Sequence, residues 1–295
     1  LTTVHTPNWL YFLAGLSGLL SAIAIAADSE EDVSVRNNLA VYGEFLSNLN
    51  PGDVTSVQKG LQELDVLFND RPVEEMDAAF LAFRRFYYEV EMEQNEVERF
   101  EGDEVDDIFL KALDQNGFRL SSSEGMSYVD EHPKFLHRKF GERVSEPVST
   151  FLRLRVNELK EGIFDDAVLT ISFENLADRV RTWERYMAEH PDTSLFDEAR
   201  YFYQVYLLTL LEGSSNTPIY DYRREQKTGA MTVYRNVQDI YRDFAEDRLS
   251  MKSTKIVKEY LALLEKSNFQ QSEEADAFLH DLREAWQLPE RPGSW

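Results

Sequence analysis

The sequence predicts a mainly all-α protein, made of helical hairpins in a bundle or short solenoid with one small β-hairpin inserted. Three observations carry that prediction. Apolar residues recur every three or four positions through most of the chain after residue 35, the spacing of a one-faced helix. Turn-forming clusters such as Asn50-Pro51-Gly52-Asp53 cut that pattern into helix-sized pieces. Clear alternation occurs once, around a Gly/Ser turn between Phe118 and Val129.

The first element is apolar. Residues 1–27 contain no Asp, Glu, Lys or Arg, and Trp9 to Ala27 matches the length of a membrane-spanning helix. Small residues at Ala22, Ala24, Ala26 and Ala27 provide cleavage choices, Ala24-Ile25-Ala26 the best of them. The segment reads as a cleaved export signal. A retained anchor and a buried core helix are the alternatives, because the start of the segment lacks positive charge and the apolar run is long. Leu1 in place of Met points to an alternative start codon or an upstream stretch.

Residues 28–115 read as an N-terminal helical region. Val35 to Leu49 places apolar residues at 35, 39, 42, 46 and 49. Thr55 with Gln58 forms a capping-box pattern before a helix with apolar positions 57, 61, 64 and 68. Met76 to Phe100 is a long aromatic helix with Met76, Phe80, Phe83, Tyr87 and Val90 on one face, and its acidic end, Glu89 to Glu101, is expected to be solvated. A hairpin insertion follows at 116–130, with an irregular insertion between two helical halves as the equal alternative. Residues 131–295 read as a C-terminal helical region, with helices at Pro133 to Phe140, Pro147 to Leu159, Phe173 to Met187, Leu195 to Leu211, Val233 to Asp247, Lys252 to Ser267 and Ser272 to Trp286, then an extended tail.

Composition limits the function classes. Hydrophobic residues are 43% of 295, with 19 Phe and 14 Tyr, which supports a packed core. The absence of cysteine removes disulfides, thiol catalysis and thiolate metal sites. Acidic residues outnumber basic ones 54 to 31, and the net charge of −23 disfavours nucleic acid and an anionic membrane surface. That charge reads first as solubility, and second as weak multi-site cation binding.

The stretch Thr182 to Leu207 holds Trp183, Tyr186, Pro191, Asp192, Ser194, Glu198, Ala199 and Tyr201. It resembles a tetratricopeptide-type helix pair of exported bacterial proteins, in which a helix ends before proline and the second helix carries Glu-Ala-Arg-Tyr. Together with Asn216 to Asp221, NTPIYD, the region also looks similar to exported bacterial proteins, a resemblance that implies no particular activity. The unit does not recur at a 34-residue period. The helix-pair resemblance implies a helical scaffold that binds peptides or proteins.

Candidate chemistry is sparse. His132 and His137 are five apart, off the three-or-four spacing of a shared helix face; His190 suits a helix end; His280 stands near Asp281 and Glu284. Neither Glu101 to Asp107 nor Asp114-Gln115-Asn116-Gly117 has the register of a calcium-binding loop. Asp165, Asp166 and Glu174 offer carboxylates for glycoside hydrolysis, as some set among 54 acidic residues always would. No phosphate loop, nucleophile elbow or dinucleotide fingerprint occurs. No cofactor and no metal is expected.

The best binding candidate is the long polar loop Glu212 to Gly229, with Asn216, Tyr220, Asp221, Tyr222, Arg223 and Arg224. The plainer reading is that its tyrosines pin the loop and its arginines offset the acidic surface. The functional expectation is a non-catalytic extracytoplasmic scaffold for a protein or peptide partner, with membrane contact only through residues 9–27 if they are retained. The alternatives are an exported hydrolase of cell-wall or other glycans, using paired carboxylates, and a membrane-tethered structural protein.

Overall fold

The computed structural model describes residues 30–96, 106–123, 126–165, 167–222, 231–247 and 251–288. The expected export segment, most of the acidic run Glu101 to Asp107, Asp166, Arg223, Arg224 and the tail after Leu288 lie outside these residues. Within them the chain is mainly α-helical, with eleven helices and three two-stranded antiparallel β pairings. No described helix is long and apolar enough to cross a membrane. The described residues divide into two compact units, 30–160 and 161–288.

In the first unit, α1 (Glu30–Ser47), α2 (Ser56–Phe68) and α3 (Val73–Glu96) pack together. The predicted faces are the buried ones: Val57, Leu61, Leu64 and Phe68 on α2, and Met76, Phe80, Phe83, Tyr87 and Val90 on α3. Gly60 lets the helices approach, since a Cβ there would lie 3.2 Å from Leu46 and 3.4 Å from Phe83. The Tyr42 hydroxyl donates to Gly60 O across that crossing at 3.1 Å.

The capping box at Thr55 does not form, because Thr55 is itself in helical conformation and its side chain makes no cap. Asp53 takes the role instead, accepting from the Thr55 backbone N–H at 3.0 Å, the Thr55 hydroxyl at 2.7 Å and Lys59 Nζ at 3.1 Å. These bonds hold the Asp53 carboxyl below the usual carboxylate range, the Thr55 side-chain bond most of all. Gln58 donates its side-chain amide to Gln115 O at 2.9 Å.

α4 (Asp107–Gln115) starts at Asp106, whose carboxylate accepts from Ile108 N at 2.9 Å. It ends at Asn116 and Gly117, and Gly117 has φ 88°. A Cβ at Gly117 would meet the Phe135 ring at 2.2 Å, so only glycine fits. The predicted hairpin follows as β1 (Phe118–Ser123) and β2 (Met126–Glu131), with Phe118 opposite Glu131 and Leu120 opposite Val129. α5 (Phe135–Phe140) and α6 (Glu146–Glu161) complete the unit. Its core is aromatic: Tyr87 stacks on Phe118 at 4.4 Å and on Phe135 at 5.6 Å, and Phe140 meets Phe80 at 4.9 Å and Phe83 at 5.4 Å.

The acidic end of α3 is not uniformly solvated: Glu91 and Gln94 are buried there. Charge counting missed this because their partners are distant in sequence. Gln94 donates to Pro51 O and Gly52 O at 3.2 and 3.0 Å, and Asn95 bonds β2.

In the second unit, β3 (Phe164–Asp165) pairs with β4 (Val168–Leu169), ahead of α7 (Phe173–Glu189) and α8 (Phe196–Glu212). The two helices form the predicted hairpin. Ser172 caps α7 by accepting from Asn175 N at 3.2 Å. Trp183 is fully buried and meets Phe202 of α8 at 5.1 Å. The far end of α8 is buried on every side, from Tyr206 to Leu211, which makes it the central helix of the unit. β5 (Tyr220–Asp221) pairs with β6 (Thr232–Val233), and α9 (Arg235–Ala245), α10 (Lys252–Lys266) and α11 (Glu273–Trp286) follow. α9 and α10 pack on each other and both contact α7, while α11 contacts α8 and α10.

The pairings β3–β4 and β5–β6 are β structure that the sequence reading did not anticipate. Each strand is two residues long, too short to display alternation.

Candidate functional site

The loop after α8 is built on a glycine. Gly213 ends the helix with φ 76° and ψ −155°, a backbone conformation open in practice to glycine alone. The chain then folds into a tight turn, with Ser214 N donating to Thr217 O at 3.0 Å and Thr217 N returning to Ser214 O at 3.2 Å. This turn is tied to the β3–β4 turn. Ser214 Oγ donates to Ala167 O at 2.6 Å, Asn216 N to Ala167 O at 3.2 Å, and Leu169 N to Thr217 Oγ1 at 2.9 Å.

The other side of the loop is anchored as firmly. Tyr220 pairs with Val233, and Tyr234 N donates to Ile219 O at 2.9 Å. The turn after α10 adds a third strand-like row, through Val233 N to Phe269 O at 2.9 Å and Gln271 N to Met231 O at 3.0 Å. Asn268 and Phe269 both take positive φ, 51° and 60°, to bring that row into place.

The candidate residues have different fates within this frame. Tyr220 is buried, in a cluster with Tyr241 and Tyr260. Burial pushes its hydroxyl up to about 12, despite an opposing hydrogen-bonding influence from Tyr260. The Tyr241 hydroxyl donates to Leu210 O and Leu211 O at 2.8 and 3.0 Å, so it satisfies the last carbonyls of α8. Asp221 is half-buried on the β5–β6 ladder, and Asn216 is exposed at the turn. Tyr222, the first residue past β5, is 44% exposed. Arg223 and Arg224 lie outside the described residues.

Two further exposed side chains stand on segments whose backbone is bonded to this loop. Val168 on β4 is 44% exposed, and Tyr234 just past β6 is 37% exposed. Neither carries a local sequence signal, since each becomes a neighbour of the loop only through the β pairings.

The helix pair below the loop is locked to α10 by a side chain of α7. The Glu184 carboxylate accepts from Lys252 N at 2.5 Å, from Ser253 N at 3.3 Å and from the Ser253 hydroxyl. Met251 at the cap position supplies no bond of its own, so Glu184 caps α10 from another helix, where a negative charge also suits the helix dipole. Arg181 bonds Asp247 at 3.1 Å and lies over the Phe244 ring at 4.2 Å, joining α7 to α9. Arg283 of α11 forms a buried ion pair with Glu212 at the end of α8.

The histidines and carboxylates weighed for chemistry are dispersed. His132 Nδ1 accepts from Lys134 N at 3.3 Å, His190 ends α7 with its ring edge-on to Tyr186, and His280 is exposed. Asp165 on β3 and Glu174 in the first turn of α7 are exposed. Among the described residues no group of three or more His, Asp or Glu side chains is arranged to hold a metal ion. No protein-family model, curated protein or solved structure matches the chain at a significant level.

Proposed function

We propose that the protein is a non-catalytic helical scaffold that binds a protein or peptide partner, with the loop around Tyr222 as its contact surface. The observation that carries this reading is the exposure of Tyr222, Tyr234 and Val168 on a base fixed by three neighbouring backbone segments. Aromatic side chains held on a rigid frame lose little entropy on binding, which is why they dominate interface hot spots. The α7–α8 hairpin, followed by the α9–α10 pair packed beside it, supports a tetratricopeptide-like arrangement of the second unit. The uncharged stretch 1–27 supports action outside the cytoplasm.

The test is co-purification of the tagged full chain from its own host, comparing wild type, Tyr222→Ala and Val66→Ala. Val66, 77% exposed on α2, is the control. A protein recovered in stoichiometric amount with wild type and Val66→Ala, and lost with Tyr222→Ala, is the expected result. Equal recovery with all three variants would sink the assignment of the surface.

A further inference from the structure

α3 holds the β1–β2 hairpin through three residues spaced four apart on one face: Tyr87, Glu91 and Asn95. Tyr87 stacks on Phe118, and its hydroxyl donates to Gly117 O. Asn95 accepts from Val129 N at 2.7 Å and donates to Val129 O at 2.9 Å, so its amide pairs with β2 as a neighbouring strand would. Between them Glu91, only 4% exposed, accepts the backbone N–H of Glu131. Three side chains of a helix therefore occupy the outer edge of β2.

Among the described residues, Asp130 and Glu131 of β2 act on Glu91, and no cation does. Arg119 of β1 is engaged by Asp130 at 2.6 Å. On α3 itself, the Tyr87 phenol lies close enough to feel the Glu91 charge. Arg84, two turns earlier, donates to Tyr88 at 2.5 Å and lies over the Phe151 ring of α6. Burial first, then Asp130 and Glu131, push the Glu91 carboxyl well above the usual carboxylate range, while the Glu131 N–H pulls weakly the other way.

We propose that Glu91 is a proton-dependent latch: the β1–β2 hairpin seats on α3 with the Glu91 carboxyl neutral, and loosens when that proton is lost. The released state titrates closer to an ordinary carboxyl, whereas the seated state keeps its proton to higher pH. Seating is therefore at full strength below the ordinary value and weakens as pH rises. The docking equilibrium falls about tenfold per pH unit until the seated carboxyl itself ionises. This is the reverse of an ion-paired carboxylate, whose contribution is lost in acid.

Glu91→Gln keeps the acceptor oxygen and the shape but cannot ionise. The measurement is hydrogen exchange of the peptide covering residues 126–132 in the full chain, corrected for intrinsic chemical exchange, from about pH 5 to about pH 8. Wild type should lose protection relative to Glu91→Gln by up to about tenfold per pH unit, with the two converging near pH 5. Curves that run parallel at every pH, whether superposed or offset by a constant factor, would overturn the proposal. Should Glu91→Gln fail to fold, Glu131→Gln supplies the second test by removing one like charge. Its loss of protection should level off at lower pH and be smaller in total than in wild type, and an unchanged curve would count against the latch.

Discussion

Gly213 is the residue on which the candidate surface depends. A Cβ there would lie 2.4 Å from Thr217 O, in a backbone region that side chains rarely enter. Gly213→Ala should destabilise the protein by about 2 kcal/mol or more, read as a shift in urea midpoint. An unchanged midpoint would mean that the turn relaxes freely. Glu184 gives a second prediction: Glu184→Ala removes the cap of α10 and should cost about 1–2 kcal/mol, measured the same way. Capping also shows the limit of reading single residues. Thr55 has the right neighbour for a capping box, yet Asp53 two positions earlier takes the bonds. The acceptor that caps α10 lies 68 residues away in sequence, beyond any local pattern.

Among the elements, the β1–β2 hairpin is held on its β2 edge by side chains of α3 rather than by a third strand. Asn95→Ala would leave the Val129 amide, which is buried, without its acceptor. The expected cost is about 1–3 kcal/mol, with loss of hydrogen-exchange protection concentrated in residues 126–132. Uniform loss over the whole chain would instead indicate global unfolding. The long helices were legible because each buries one continuous face: Val57, Leu61, Leu64 and Phe68 can be read from spacing alone. The hairpin at 118–131 was legible because alternation shows on both sides of a Ser/Gly-rich stretch, and its two strands each run six residues, with Ser121 to Ser123 part of β1. The short pairings were not, since β5 and β6 are set by contacts with Phe269 and Gln271. The candidate loop stood out for its length and its tyrosines. The division between buried Tyr220 and exposed Tyr222 arises because β5 ends at Asp221, which no propensity marks.

At the scale of the whole molecule, the net charge of −23 sets the response to solvent. Raising ionic strength from about 10 mM to about 0.15 M shortens the screening length from about 30 Å to about 8 Å. Relief of self-repulsion should raise Tm by a few degrees, and a fall in Tm would contradict that balance. The same charge bears on partners, since a cationic or neutral surface meets this protein without the repulsion a polyanion would feel. The proposed contact surface for a partner protein is the loop around Tyr222. It is tested most directly by placing a photo-crosslinking amino acid at position 222 in the full chain, in its host, with position 66 as control. A discrete adduct at 222 that is absent at 66 is the predicted result. A folded protein giving no adduct at 222, or the same adducts at both positions, would contradict it.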